Sequence, residues 1–413
     1  MKTTHKLILA FLFVLTPLLG SKAYAAKYKV VDKVKVFDNE IIQFAPGKID
    51  QSAFIDGDLI KLGNGRLILK KVKLPKLKRD VVLTTTVRVE SNGDRWDKTG
   101  SFFVIPANSE INMIGVAEGK QVYPAVIKEY VEEFPGIIAQ ENYLPPVELM
   151  RFMTPFGVGH YSKPDSITKE RTMPVYIDGW APHVEWTQDI SDRYPLLTDE
   201  VYVGAFIDTW TEDGYKISVD LELSESTVKQ DKLAKTQILP IVNTVYYQAQ
   251  GIPDLFNRQD LTSTFSIPKN AKNVQLKYIV TGHGGQSGGD EFVENENILS
   301  IDNKEIYRFT PWRTDCAAFR RFNPATGTWL KPREASYIAK EGRGQKKIEE
   351  IIASSDLSRS NWCPGSDVQP VTLFLDDIQA GDHTFKVSIP NAQSAANGKL
   401  NHWLISAYLV WEE

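Results

Sequence analysis

A surplus of positive charge is missing from this sequence. Its 48 Lys and Arg stand against 52 Asp and Glu, a net charge of −4. The two signs are interspersed, so nothing forms a footprint for a polyanion and nucleic acid is not expected as a partner. Long apolar runs are missing as well, apart from Leu7 to Leu19. That run is short for a membrane span and no stop-transfer pattern follows it. Led by Lys2, His5 and Lys6 and closed by Ala23-Tyr24-Ala25, it has the layout of a secretory signal peptide over residues 1–26. Cysteine is nearly absent. None stands directly after the leader, which argues against a lipid-anchored bacterial protein, and the two present, Cys316 and Cys363, are expected to pair in an exported chain. Two free thiols are the alternative. The expectation is an exported, periplasmic or secreted protein with no membrane anchor.

Period-two patterns dominate what remains. Val34 and Val36 alternate with lysines, Val201, Val203, Ala205 and Ile207 with Tyr202, Gly204, Phe206 and Asp208, and Ile217, Val219, Leu221 and Leu223 with polar residues. Such alternation predicts half-buried antiparallel strands. The chain is therefore read as all-β, in sandwiches or barrels. One helical face, Val126, Ile127, Tyr130, Val131 and Phe134, ends at Pro135-Gly136. It predicts an insertion over about 110–146, either a lid or wall beside a cleft or a decoration without a role. The polar stretch 226–236 reads as a linker between a first domain, 27–225, and a second, 237–413.

Several predicted loops set charge beside an aromatic ring. Ser91 to Gly100 carries Asp94, Arg95, Trp96, Asp97 and Lys98 directly after the strand pattern Val81 to Val89. A solvated hairpin turn is the bland reading, but a large ring in a polar loop is costly unless it packs on a ligand or lines a cleft. Asp208-Thr209-Trp210 ends another strand. Gly282 to Phe292 places His283, Asp290 and Glu291 in a glycine-rich loop, and Ser358 to Gly365 holds Arg359 and Trp362 next to Cys363. The glycine loop is no phosphate cradle, because no Gly-Lys-Ser/Thr follows. A metal on His283, Asp290 and Glu291 is the weaker reading, for no second histidine stands at a ligand spacing nearby. Rings that stack on pyranose faces, with carboxylates and an arginine for hydroxyls and amides, suit sugar binding.

With these residues assembled, the chain resembles the peptide-N-glycosidase F family, bacterial amidases that release N-glycans from glycoproteins. The likeness runs through Arg95-Trp96-Asp97, Phe152 to Gly159, Asp208-Thr209-Trp210 with Tyr215 to Leu221, Gly288 to Phe292 and Arg359 to Gly365. It implies two eight-stranded jelly rolls packed side by side with the site in the cleft between them. It implies Asp97 as the principal catalytic aspartate, Glu291 as the glutamate facing it and Asp208 in place of the family's third glutamate. Trp96, Lys98, Trp210, His283, Asp290, Phe292, Arg359 and Trp362 are the expected substrate-binding residues, and Cys316 with Cys363 a disulfide. Three departures stand out: Asp208 is a methylene shorter, Gly289 and Val293 replace cysteines that bracket the family's equivalent of Glu291, and the 110–146 insertion is extra. The implied reaction hydrolyses the amide between an asparagine side chain and the first N-acetylglucosamine, with no metal or cofactor, on N-glycosylated proteins or glycopeptides, in a monomer. A glycan-binding protein without turnover is the second expectation, and a metal-dependent jelly-roll oxidoreductase or hydrolase a distant third.

Overall fold

The computed structural model of the protein describes residues 28–50, 52–125, 134–163, 177–228, 235–285 and 288–413. The predicted leader lies outside the described residues, as do residues 126–133, which carry most of the predicted helix, and residues 229–234 of the predicted linker.

Alternation in the sequence becomes alternation in burial. In strand Val81–Ser91, Leu83, Thr85, Val87, Val89 and Ser91 are buried while their neighbours are partly open, and Tyr215–Ser226 repeats the pattern. Thr99–Val104 and Val147–Met153 are buried throughout, as strands covered on both faces must be. One four-stranded sheet of the first lobe runs Tyr28–Ile42, Tyr215–Ser226, Val81–Ser91, Val184–Asp189. Facing it are Val147–Met153, Thr99–Val104, Val201–Ile207 and Leu67–Val72, extended at the edge by Leu59–Leu62 and Phe54–Asp56. The second lobe pairs Thr236–Asn243, His402–Glu412, Lys272–His283 and Val371–Phe374 with a sheet of Leu261–Ile267, Gly381–Ser388, Asn297–Ile301 and Lys304–Phe309.

Numbering each lobe's eight principal strands in chain order gives the same arrangement twice: first-eighth-third-sixth in one sheet, second-seventh-fourth-fifth in the other. Each sheet thus interleaves both ends of its lobe's chain, which is the strand order of a jelly roll.

The lobes are not separable beads. Asp367–Val368 leaves the second lobe to pair with Phe152 and Arg151 in a sheet of the first, and Tyr408 and Val410 belong to the first lobe's core. Arg151 sits fully buried against Glu148 and donates to Leu404 O at 2.6 Å and Thr281 Oγ1 at 3.2 Å, both in the second lobe. Removing one partner of such a pair leaves a buried charge, at a cost of about 3–5 kcal/mol.

Of the 110–146 insertion, Met113–Ala117 is a short helix capped by Asn112. Phe134 and Ile137 enter the second lobe's core, where Ala139 N–H donates to Ile241 O and Asn243 N–H to Ile137 O, each at 2.9 Å. The described part of the insertion thus packs onto the second lobe and ties it to the first. A hairpin of Thr328–Ala339 and Gly342–Ala353 completes the molecule. Among the described residues no helix is long and apolar enough to cross a membrane.

Candidate active site

The loop after Val81–Ser91 is fixed from several sides. Gly93 has φ +144°, and a Cβ there would stand 2.5 Å from that of Asp213, so the chain turns where only glycine fits. Asp94, buried, accepts from Trp96 N–H at 3.0 Å and from Thr209 Oγ1 at 2.7 Å. Tyr215 OH donates to Trp96 O. Buried Thr154 accepts from Lys98 N–H at 2.8 Å, and its own N–H donates to Lys98 O at 2.8 Å. A solvated turn would have none of this support. Trp96 remains 45% exposed, edge-on to Phe156 with the Arg95 guanidinium 4.6 Å from its ring.

Asp97, held by that loop, meets Glu291 of the second lobe through Arg359. The arginine is buried; its Nε donates to Glu291 Oε1 at 2.8 Å and its Nη2 to Asp97 Oδ2 at 3.5 Å. Nη1 donates to Leu357 O at 2.9 Å. Phe292 and Trp362 flank the guanidinium at 5.0 and 4.9 Å. One positive charge therefore serves two carboxylates. Burial raises both carboxyl groups above their usual range against the pull of Arg359, Glu291 to about 7, with Asp97 itself adding to the rise at Glu291. The pair retains a proton toward neutrality. Glu291 Oε1 accepts from the Arg359 N–H, so a proton carried by Glu291 is on Oε2.

A pocket of about 240 Å³ opens beside this pair, with Trp96, Asp97, Lys98 and Asp208 from one lobe and His283, Glu291, Trp362 and His402 from the other. It is below the usual ~300 Å³ of ligand pockets, room for a scissile bond and an innermost sugar with the rest outside. Wider hollows exist, one of about 820 Å³ beside Phe374, but that one joins no acids from the two lobes.

Asp208 accepts from Tyr246 OH at 2.7 Å and from Arg66 Nη1 at 3.2 Å. Burial raises its carboxyl, opposed by Tyr246, Lys98 and Arg66. Arg66 also lies 4.4 Å over the half-exposed Trp210 ring, so the cation that holds Asp208 also orients the indole.

Two stacked imidazoles, His283 and His402, line the same pocket with centroids 5.0 Å apart. His402 Nδ1 donates to Leu400 O at 2.7 Å; a carbonyl only accepts, so Nε2 keeps its lone pair. At His283, Nε2 faces Thr281 Oγ1 at 2.8 Å, an oxygen that already accepts from Arg151. Burial keeps both rings neutral, His283 well below its usual value and His402 at about 4. The pocket wall thus holds two neutral imidazoles side by side, with the acceptor nitrogen of His402 at Nε2.

Cys316 and Cys363 are bonded, and Trp362 Nε1 donates to Gly282 O at 2.9 Å. Four expected binding residues do not line this pocket: Trp210, under the Arg66 guanidinium, and three of the second lobe. Asp290 is turned into the second lobe, accepting from Trp403 Nε1 at 3.0 Å, Asn295 Nδ2 at 2.8 Å and Gln393 N–H at 3.0 Å; it holds the glycine loop rather than lining the pocket. Phe292 packs between Arg359 and Trp329. Arg359 reaches the carboxylates but does not line the pocket. Among the described residues no group of three or more His, Cys, Asp and Glu could hold a metal. Tyr246, Arg66, His402 and Thr154 were not expected; of these only Thr154 sits in a motif singled out from sequence.

Models of two domains match the chain: peptide-N-glycosidase F, N terminal, over residues 33–223, and peptide-N-glycosidase F, C terminal, over residues 251–410. The structure of PNGF-II is 34% identical, with a TM-score of 0.77, over 96% of this chain and 68% of that one. PNGase F of Flavobacterium meningosepticum, titled a glycosylasparaginase, shares the fold at 16% identity and a TM-score of 0.56, over 93% of this chain and 96% of its own. The peptide-N(4)-(N-acetyl-beta-D-glucosaminyl)asparagine amidase F of Elizabethkingia miricola is 20% identical over 274 residues, 64% of this chain; the match spans 63% of that relative's length. With both domain models matched and a third of the residues shared with PNGF-II along nearly its whole length, the chain belongs to the peptide-N-glycosidase F family.

Proposed function

We propose that the protein is an amidase that hydrolyses the bond between an asparagine side chain and the first N-acetylglucosamine of N-glycans, giving aspartate and a glycosylamine. The observation that carries this is the Asp97–Arg359–Glu291 bridge, which sets acids from two lobes on one guanidinium at the wall of a pocket flanked by Trp96 and Trp362. Amide hydrolysis needs an activated water, a polarised carbonyl and a proton for the departing amine. Asp97, ionised, takes the proton from water. Glu291, protonated on Oε2, donates to the carbonyl oxygen and passes the proton to nitrogen as the carbon–nitrogen bond breaks. Lys98 at the pocket wall supplies the positive charge for the carbonyl, a task Arg359 leaves open by staying inside. Attack is at an amide carbon with no oxocarbenium intermediate, so the carboxylate spacing rules of glycosidases do not apply.

The substrates are N-glycosylated proteins or glycopeptides, and the protein acts as an exported bacterial monomer, its leader being residues 1–26. Incubation with a denatured N-glycoprotein tests the reading. Release of glycan by the parent and its loss in Asp97→Ala support it; glycan bound but not released by the parent indicates a binding protein instead.

A further inference from the structure

Inside the loop closed by Cys316 and Cys363, residues 328–353 leave the body of the protein as a ribbon whose strands pair only with each other. Its strands have 12 residues each, an arm of about 40 Å at roughly 3.3 Å per residue. The register places Trp329, Ala335 and Tyr337 on one face with Ile352 and Ile348 of the opposite strand. Tyr337 lies over Gly344, where a Cβ would come within 2.7 Å of its ring. Lys331, Arg333, Lys346 and Glu350 share this face between the apolar positions, Arg333 pairing with Glu350 at 3.0 Å.

The root of the arm touches the site's framework twice. The Trp329 ring lies 5.0 Å from Phe292, which itself lies 5.0 Å from the Arg359 guanidinium. Ala325 N–H donates to Phe156 O at 2.9 Å, and Phe156 is the ring beside Trp96. A stripe of apolar side chains, interrupted by these charges, therefore begins at Phe292, one contact from Arg359, and runs outward. The arm contributes little to either core, and a ribbon with two open edges and an exposed ring on this face, Tyr337 at 44%, is an association hazard unless something uses it.

A glycosylated asparagine enters the pocket attached to a polypeptide that must continue past its mouth. Resting on the amidase reading, we propose that the 328–353 hairpin is an arm that holds this polypeptide. An extended segment next to the glycosylated asparagine lies along the Trp329–Ile348–Tyr337 face, its apolar side chains on the stripe and its main chain against an open strand edge. Main-chain pairing and apolar contact demand no particular sequence, which suits a bond found in many sequence contexts. They demand an extended chain, so unfolded glycoproteins are the favoured substrates.

The test replaces residues 334–347 by Asn-Gly, a two-residue turn that keeps the Trp329 root and the Arg333–Ile348 pair, with thermal unfolding as the check on folding and Tyr337→Ser as a milder second variant. Expected is a fall in kcat/KM of roughly tenfold, carried by KM, on a reduced and denatured glycoprotein, with a glycosylated tripeptide turned over within about twofold of the parent. Equal losses on both substrates, or none on either, overturn the arm. Binding of a reduced, carboxymethylated protein that bears no glycan is measured alongside. Its loss on shortening supports the arm and its persistence refutes it, even were the parent to release no glycan and the amidase reading to fail.

Discussion

Arg359 and Glu291 form a buried ion pair, Nε to Oε1 at 2.8 Å, and the same guanidinium reaches Asp97 at 3.5 Å. Sharing one cation lets the two carboxyl groups hold different protonation states. Arg359→Leu removes the charge that bridges them; both acids then retain protons near neutrality, and kcat/KM is expected to fall on the order of 10³-fold. Arg359→Lys keeps the charge but not the fork, so its loss should be smaller yet well above tenfold. Steady-state kinetics of the two variants make the check, and equal, small effects would show that the guanidinium is not needed to organise the acids.

The pH dependence follows from the raised carboxyls. Glu291 titrates at about 7 in the fold, above its ordinary value, so the folded chain binds this proton more tightly than the unfolded one. Its stabilising contribution is full at pH below the ordinary carboxyl range and is lost as pH rises through about 7. Asp97 is shifted the same way. Activity should decline on the acid side as Asp97 gains its proton and on the alkaline side as Glu291 loses its own. Glu291→Gln should abolish the alkaline limb of residual activity and flatten the fall of melting temperature between about pH 5 and 8; an unchanged limb would assign the proton elsewhere.

Asp208 depends on Tyr246. The 2.7 Å bond from the phenol favours the ionised carboxyl, so Tyr246→Phe should lower kcat/KM by about tenfold. Asp208→Asn should cost at least as much, and the double variant little more than Asp208→Asn alone, because both act through one group. Additive losses would separate the two residues.

His402 presents a neutral acceptor to the pocket. His402→Phe keeps the stack on His283 and removes the lone pair, so KM should rise by about tenfold with kcat nearly kept. Because the ring is neutral above about 4, the pH profile should not move. A displaced profile would mean that His402 titrates in the reaction.

Much of this was legible in the chain and the rest was long-range. Alternating aliphatic residues in Val81–Ser91 and Tyr215–Ser226 marked strands correctly because one face of each is buried. Asp97, Glu291 and Trp362 stood out as charge or indole beside turn formers. Asp290 was misread because neighbours in a loop can point oppositely: its carboxylate goes inward to Trp403 while Glu291 goes to Arg359. Tyr246 and His402 carry no local signal, and they reach the pocket only through pairings more than a hundred residues apart, as between Val242 and Ala407. The division at 226–236 missed the return of Asp367–Val368 to the first lobe, a two-residue strand with no periodicity to read. The 328–353 ribbon escaped notice because Pro332 and its charges disguise the alternation.

Hydrolysis of a purified N-glycopeptide in water enriched in heavy oxygen, followed by mass spectrometry of both products, tests the central claim most directly. The account predicts aspartate at the former glycosylation site carrying one heavy oxygen, and an intact glycan released as its glycosylamine. Asparagine left bearing N-acetylglucosamine, with the heavy oxygen on the sugar, would contradict it.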